Sequence, residues 1–175
     1  MVKQSIIFNG FMGVGKTTIA KKIAKELNYN FIDIDEEIIK AFSLPITDIF
    51  EQFGESSFRK KETELIKHFT KQSLTVISLG GGAFKNLENM KTCLSNGIVI
   101  HLDISFEHWK VRIPELIASR PILQNKTYPD IKKLYEDRQK IYQKRDIHII
   151  TDGLTEDEVT KKVIDQIKLT QKQES

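Results

Sequence analysis

One loop near the start of the chain, residues 10–17, restricts the possible folds more than any other feature of the sequence. It has the pattern Gly10-x4-Gly15-Lys16-Thr17 and lies between a short apolar run and an amphipathic stretch of helical periodicity. Backbone N–H groups of such a loop surround a phosphate, Lys16 can reach the outer phosphates, and Thr17 can ligate Mg²⁺. The loop therefore predicts binding of a purine nucleoside triphosphate, ATP, with Mg²⁺; a glycine turn that merely connects strand to helix is the alternative. The predicted ATP contacts in this loop are Gly13, Val14, Gly15, Lys16, Thr17 and Thr18.

Apolar runs of strand length alternate with longer helical patterns along the chain. This alternation is typical of an α/β fold in which crossover helices cover both faces of a parallel sheet. The predicted strands span residues 5–9, 31–34, 74–79, 98–102 and 147–150. An acidic helix start is predicted at residue 35 and an N-cap at Thr47, and further helices span residues 16–27, 47–53, 56–71, 86–96, 130–144 and 156–169. Residues 112–128 are punctuated by prolines, and we interpret them as a mobile flap.

Composition limits the classes of protein to which the chain can belong. With 175 residues, 39% hydrophobic and 29% charged, it has the profile of one globular domain, residues 1–175. The net charge of +3 is spread along the chain, so no nucleic-acid partner is expected. The apolar run before the loop is too short for a membrane span or an export signal, and Cys93 is the only cysteine. We therefore expect a cytoplasmic protein with no membrane partner.

Two acidic residues, Asp33 and Asp35, follow the second predicted strand and stand two apart. At the carboxyl end of a strand, this spacing places both side chains on the same face of the sheet. One acid could hold Mg²⁺ through water, and the other could orient or deprotonate a substrate hydroxyl. The alternative is that Asp35 caps the next helix and Asp33 is solvated.

Other candidate residues are ambiguous when each is taken alone. Arg59 and Glu62 could form a surface pair on one helix, and the glycines at 80–82 form either a tight turn or a close approach to a ligand. Arg120 in the flap could clamp transferring phosphates or be solvated, and Arg138 is equally ambiguous. The histidines form no local metal or triad pattern and are assigned no chemistry: His68, His101, His108 and His148.

Together these motifs resemble the shikimate kinases, and the resemblance extends from the first strand to about Tyr142. Any phosphate-loop kinase shares the first matching segment, whereas the order and spacing of the others are specific to this family. The matching segments are GFMGVGKTT at 10–18, DID at 33–35, GESSFRKKE at 54–62, SLGGG at 78–82, RP at 120–121 and LYEDRQKIY at 134–142. The resemblance implies a P-loop NTPase fold like that of nucleoside monophosphate kinases, with a five-stranded parallel sheet in the order 2-3-1-4-5.

The resemblance also implies a reaction and a role for each matching residue. ATP and shikimate would give ADP and shikimate 3-phosphate, with Lys16, Mg²⁺ and Arg120 stabilising the charge of the transferred group. Thr17 and Asp33 would position Mg²⁺, and Asp35 would bind the ring hydroxyls and activate the attacking one. Arg59, held by Glu62, would bind the substrate carboxylate together with Arg138. The remaining acceptor contacts would be Phe50, Phe58, Gly80, Gly81 and Gly82.

The same resemblance divides the chain into functional segments and names its partners. Residues 35–62 would bind shikimate, and residues 112–128 would form the lid. The expected ligands are ATP, shikimate and Mg²⁺, and the expected state is a monomer. Two other functions are compatible with the loop itself: a kinase of another small acceptor, either a polyol acid such as gluconate or a nucleotide, and a nucleotide-binding module without catalysis.

Overall fold

Five parallel strands form the centre of the fold in the computed structural model, which describes residues 5–173. The strands are β1 (Ser5–Asn9), β2 (Asn30–Asp33), β3 (Thr75–Ser78), β4 (Gly97–Asp103) and β5 (Ile147–Ile150). Their order is β2-β3-β1-β4-β5, and every neighbouring pair is parallel. β1 is buried along its whole length because it lies in the middle of the sheet with layers on both faces. The predicted fold class and strand order are confirmed.

Helices cover both faces of the sheet and create two apolar cores. The helices are α1 (Lys16–Leu27), α2 (Ile34–Phe42), α3 (Ile46–Phe69), α4 (Leu87–Asn96), α5 (Phe106–Trp109), α6 (Ile113–Ser119), α7 (Tyr128–Ile141) and α8 (Glu156–Gln173). Alternate side chains of β1 enter different cores, so Ile6 lies in the core that α1 and α8 cover, and Ile7 lies in the core that α2, α3 and α4 cover. Among residues 5–173, no helix combines the length and the apolar composition that a membrane span requires.

Several predicted boundaries are wrong, each for a local reason. Thr47 is not an N-cap, because α3 begins at Ile46 after Pro45, which provides no side-chain cap. By contrast, the break predicted between helices 47–53 and 56–71 is confirmed, because α3 is interrupted by a kink at Gly54, whose φ of 80° and ψ of 163° are not helical. Leu74 precedes β3 instead of belonging to it, because its φ of 50° is left-handed and its side chain is 55% exposed.

The proline-rich segment predicted to be a mobile flap contains regular structure. It consists of α6 and a 3-10 turn at Pro121–Leu123, and it packs against the phosphate loop. Arg112 Nη1 donates to the carbonyl of Gly13, and Leu116 Cδ1 lies 2.8 Å from the position that a Cβ on Gly13 would take. The segment therefore covers the loop in this structure, and its mobility stays a prediction.

Candidate active site

The phosphate loop connects β1 to α1 through backbone conformations that favour glycine. Gly10, Gly13 and Gly15 have φ values of 148°, 76° and 103°. A Cβ on Gly10 would also lie 2.4 Å from the carbonyl oxygen of Leu102, so the loop starts where β4 approaches closely. The sequence folds into this loop because each sharp turn coincides with a residue that has no side chain.

Lys16 points back into the loop from the first turn of α1. Its Nζ donates to the carbonyl oxygens of Gly10 and Phe11, at 2.7 and 3.0 Å. Burial and the nearby Arg120 guanidinium lower the pKa of the Lys16 ammonium to about 8, although Asp35 and Asp33 oppose that shift. A phosphate placed in the loop would supply the negative charge that this buried ammonium lacks.

Asp33 joins the phosphate loop to the second strand. One of its carboxylate oxygens, Oδ2, accepts a 2.8 Å hydrogen bond from Thr17 Oγ1. The other, Oδ1, caps α2 by accepting from the backbone N–H groups of Asp35 and Glu36. The expected placement of both acids at the strand end is therefore wrong for Asp35, which lies in the first turn of α2. The alternative assignment is wrong too, since Asp33 is the cap.

Asp35 carries a buried carboxylate oxygen, Oδ1, that has no hydrogen-bond partner among residues 5–173. This oxygen lies 2.9 Å from where a Cβ on Gly80 would stand, so the absence of a side chain at residue 80 gives it room. Burial and the neighbouring Asp33 carboxylate raise the pKa of Asp35, and nearby cationic side chains only partly offset the shift. An unpartnered buried acceptor is costly, so a hydroxyl donor from a ligand fits this position.

Arg59 is held by a carboxylate that is almost completely buried. Its Nη1 donates to both oxygens of Glu62 at 3.0 and 2.9 Å, and the Glu62 side chain is 1% exposed. Burial raises the pKa of Glu62, although Arg59 opposes that shift. Arg59 Nε also contacts Glu55 at 3.3 Å. The alternative of a surface pair is therefore wrong, since Glu62 is buried.

Arg138 reaches the same place from α7. Its Nη1 donates to the carbonyl oxygen of Gly81 at 3.1 Å. A Cβ on Gly82 would lie 2.7 Å from Arg138 Nη1 and 2.9 Å from Arg59 Nη2. The glycine triple therefore makes a close approach possible, because a side chain at residue 82 would displace both guanidinium groups.

A cavity of about 530 Å³ brings these side chains together. A smaller cavity of about 180 Å³ adjoins it over the phosphate loop. Every predicted acceptor contact lines the larger cavity: Asp35, Phe50, Phe58, Arg59, Gly80, Gly81, Gly82 and Arg138. Most predicted phosphate and metal residues line the smaller one: Gly13, Gly15, Lys16, Thr17, Thr18, Asp33 and Arg120.

The two cavities meet at a small set of shared residues. Asp35 and Arg120 line both of them, together with Met12, Gly80 and Gly81. Arg120 Nε is buried and has no partner within the described chain. An acceptor in the larger cavity and a phosphate chain in the smaller one would thus face each other beside an acid and a guanidinium whose Nε has no partner among residues 5–173.

Comparisons with known proteins agree with this geometry. A family model described as shikimate kinase matches residues 12–168. A curated shikimate kinase from Oceanobacillus iheyensis is 48% identical over 167 residues, which cover 95% of this chain and 91% of the relative. The chain belongs to the shikimate kinase family.

Solved structures of shikimate kinases share the fold over nearly the full chain. The enzyme from Aquifex aeolicus is 36% identical, with a TM-score of 0.83 and coverage of 94% of this chain and 96% of the other. The enzyme from Acinetobacter baumannii, solved in complex with shikimate, is 28% identical, with a TM-score of 0.81 and coverage of 98% and 96%. The predicted resemblance and phosphotransferase class are confirmed, and neither alternative function is favoured.

Sequence reasoning missed several residues that line the cavities of this shikimate kinase family member. Pro121 and Ile122 line the larger cavity and directly follow Arg120 in sequence, so their position next to a predicted site residue could have indicated them. Other missed residues are Met12, Ile46, Glu55, Ser78 and Leu79. Val14, predicted to contact ATP, lines neither of the two cavities, since its side chain is buried and its N–H donates to the Phe11 carbonyl.

Two histidines without an assigned chemistry come together on neighbouring strands. His101 and His148 are paired across β4 and β5, and Asp103 lies 2.9 Å from His148 Nε2 and 3.8 Å from His101 Nε2. Arg145 Nη2 lies 3.3 Å from His148 Nδ1. Burial lowers the pKa of His101 to about 4, so this ring is neutral. Asp103 contacts both rings and Arg145 contacts His148, and the cluster stays without an assigned chemistry.

Proposed function

We propose that this chain transfers the γ-phosphoryl group of ATP to the 3-hydroxyl of shikimate where its two cavities meet. The larger cavity is called the acceptor cavity from here on, and the smaller one the phosphate cavity. The observation that carries the proposal is that Asp35 and Arg120 line both of them. Two bound substrates would then be oriented toward each other, and such orientation supplies much of the catalysis in phosphoryl transfer.

The acceptor cavity suits a small ring that carries both a carboxylate and hydroxyls. Arg59 and Arg138 approach each other beside Gly82, and a planar guanidinium binds a carboxylate through two donors. Phe50 and Phe58 form an apolar wall, with ring centroids 4.9 Å apart. In this proposal the arginines bind the carboxylate end, and the opposite end of the ring reaches Asp35.

Asp35 acts on the attacking hydroxyl in this proposal. Its unpartnered Oδ1 accepts the hydroxyl proton or orients the hydroxyl toward the phosphate. Lys16 and Arg120 then stabilise the charge that develops on the transferred group. Their positions at the phosphate cavity support these roles, since both line it beside the loop.

Mg²⁺ fits the oxygen atoms at the start of α1. Thr17 Oγ1 lies 2.8 Å from Asp33 Oδ2 and 3.4 Å from Ser78 Oγ, and Mg²⁺ prefers such oxygen donors. Thr17 and Asp33 would hold the ion directly or through water. When bound, it supplies positive charge that neutralises phosphate oxygens.

One copy of the chain contains all the residues that this proposal uses, so we propose a monomeric enzyme. We place it in the cytoplasm, where ATP is available, and treat residues 1–175 as one kinase domain. In that domain residues 35–62 bind the acceptor, and residues 112–128 form a lid that closes and excludes water. Light scattering during size exclusion should give the mass of one 20.2 kDa chain; twice that mass would contradict the monomer.

A coupled assay of ADP release tests the proposed reaction. Purified protein with ATP and Mg²⁺ should release ADP rapidly on addition of shikimate, and much more slowly with gluconate, with a nucleoside monophosphate or without an acceptor. Binding of ATP without turnover on shikimate would contradict the proposal. Faster turnover on gluconate would assign the site to another acceptor.

Arg59→Ala should raise the KM for shikimate by about ten- to a hundredfold, because a hydrogen bond between charged groups is lost. The KM for ATP should stay within about twofold, since Arg59 lines only the acceptor cavity. Thermal unfolding of the variant reports the cost of leaving Glu62 unpaired. Lys60→Ala, at the exposed neighbouring residue, is the matched control. An unchanged KM for shikimate would remove Arg59 from carboxylate binding.

A further inference from the structure

Tyr142 ends the last segment that resembles the shikimate kinases, and the proposed transfer gives it no role. It stands four residues after Arg138, so both side chains lie on the same face of α7. Tyr142 is the C-cap residue of this helix and is 1% exposed. A buried tyrosine hydroxyl needs a hydrogen-bond partner, and the partner here belongs to the acceptor cavity.

The carbonyl oxygen of Gly81 accepts two hydrogen bonds from this one turn of α7. Tyr142 donates from its hydroxyl at 2.5 Å, and Arg138 donates from Nη1 at 3.1 Å. A carbonyl oxygen has two lone pairs and can accept two hydrogen bonds. Among residues 5–173, the donors to the Gly81 oxygen are the Tyr142 hydroxyl and Arg138 Nη1. The glycine segment on one side of the acceptor cavity is thus attached to α7 at two points.

The ring of Tyr142 is itself restrained by a stacking contact. It stacks on His101, with ring centroids 4.8 Å apart and planes at 28°. His101 Nδ1 lies 3.1 Å from Oδ1 of Asn9, the residue just before the phosphate loop. Burial raises the pKa of the Tyr142 hydroxyl well above its usual value, so the hydroxyl remains a donor throughout the working pH range. A fixed ring and a protonated hydroxyl give the Gly81 carbonyl a constant direction.

The direction of the Gly81 carbonyl matters for Arg138, because within residues 5–173 this carbonyl is the group to which the Arg138 guanidinium donates a hydrogen bond. The other guanidinium nitrogens are left to receive a carboxylate. If the Gly81 carbonyl were free to tilt, the guanidinium would lose its defined position beside Gly82. We propose that Tyr142 is a positioning residue whose hydroxyl fixes the Gly81 carbonyl, and through it Arg138, for the acceptor carboxylate. This inference rests on the proposed function.

Tyr142→Phe removes the hydroxyl and keeps the stacked ring. The KM for shikimate, and the Kd measured by calorimetry, should rise about five- to tenfold, the effect of one buried hydrogen bond. The kcat at saturating shikimate and the KM for ATP should stay within about twofold, because Arg138, through which Tyr142 acts, lines only the acceptor cavity. A purely structural role would not produce this separation between the two substrates.

Tyr135→Phe is the matched control on the same helix. Its hydroxyl also donates to a backbone carbonyl at 2.5 Å, that of Ile104, and its side chain packs in the same core, but neither Tyr135 nor Ile104 lines either cavity. Both variants should lower the midpoint of thermal unfolding. Only Tyr142→Phe should raise the KM for shikimate, and an equal rise in Tyr135→Phe would overturn the proposal.

A double variant with Arg138→Lys tests whether the two donors act through the same carbonyl. Their separate factors on the KM for shikimate should then multiply to more than the factor of the double variant. Full multiplication, or an unchanged KM in Tyr142→Phe, would overturn the role of Tyr142. Turnover of the unmodified chain on shikimate is measured first, because its absence would contradict the proposed function and not Tyr142 alone.

Discussion

Asp35→Asn should lower kcat with shikimate by about 10²–10⁴-fold, the range expected when a group that moves or orients a proton is lost. The Kd for ATP should stay within about threefold, because Lys16 and the loop glycines are unaltered. Initial rates at saturating substrates and calorimetry of ATP binding measure the two effects. Glu36→Gln, at the exposed neighbouring residue in the same turn of α2, is the control and should keep its turnover. Unchanged turnover in Asp35→Asn would make the assignment of this acid wrong.

Although Asp35→Asn should lower turnover, it should raise the thermal stability of the folded protein. Burial raises the pKa of Asp35 in the folded state, so folding favours the protonated carboxyl. Above that raised pKa the ionised carboxylate therefore costs stability, and the cost disappears as pH falls toward the ordinary value of about 4. Asp35→Asn should raise the midpoint of thermal unfolding at pH 8 and have little effect at pH 4. A loss of both activity and stability at pH 8 would instead indicate damage to the fold.

Local sequence patterns predicted the elements around the phosphate loop because adjacent residues determine them. β1 and α1 have the predicted bounds, since an apolar run, a glycine loop and an amphipathic stripe follow one another directly. β5 is also as predicted. The start of α3 was predicted wrongly because Thr47 is a residue type that usually caps a helix. The residue that precedes α3 is instead Pro45, which cannot cap through its side chain. Local patterns therefore predicted the bounds of an element where one residue pattern marked its end, and failed where two neighbouring residues both matched a helix start.

Contacts between distant segments could not be predicted from spacing. The hydrogen bond of Thr17 to Asp33 depends on how β2 is placed relative to α1, and that of Tyr142 to Gly81 joins residues 61 apart. The sheet order was expected only because the motifs resembled a family, since alternation of strands and helices is compatible with several orders. Pairing of His101 with His148 likewise follows from the register of β4 and β5.

The individual ambiguities were resolved by burial, which the sequence expresses weakly. Glu62 and Arg59 match an ordinary surface pair in spacing, but Glu62 is 1% exposed because α3 packs it toward the glycine triple. A buried carboxylate without its cation is unfavourable, so Arg59 is restrained in a way that a surface arginine is not. The same reasoning separates Arg138, which is buried, from the exposed lysines on α7.

Lys16→Met should impair both substrate binding and turnover, in contrast to Asp35→Asn. We expect the Kd for ATP to rise about tenfold or more and kcat to fall about 10²–10³-fold, because a charged donor to the phosphates is lost. Calorimetry and initial rates measure these effects. Lys25→Met, at an exposed residue in the last turn of α1, is the control and should match the unmodified protein.

The lowered pKa of Lys16 gives this prediction a second readout, in protons. With a pKa of about 8, Lys16 is mostly neutral at pH 9 in the free protein. Bound phosphates favour the ammonium, so ATP binding at pH 9 should take up nearly one proton, and the Kd should rise by up to about tenfold per pH unit above 8. Calorimetry in buffers of different ionisation enthalpy measures that uptake. Lys16→Met should abolish it and Lys25→Met should keep it; uptake that persists in Lys16→Met would place the titrating group elsewhere.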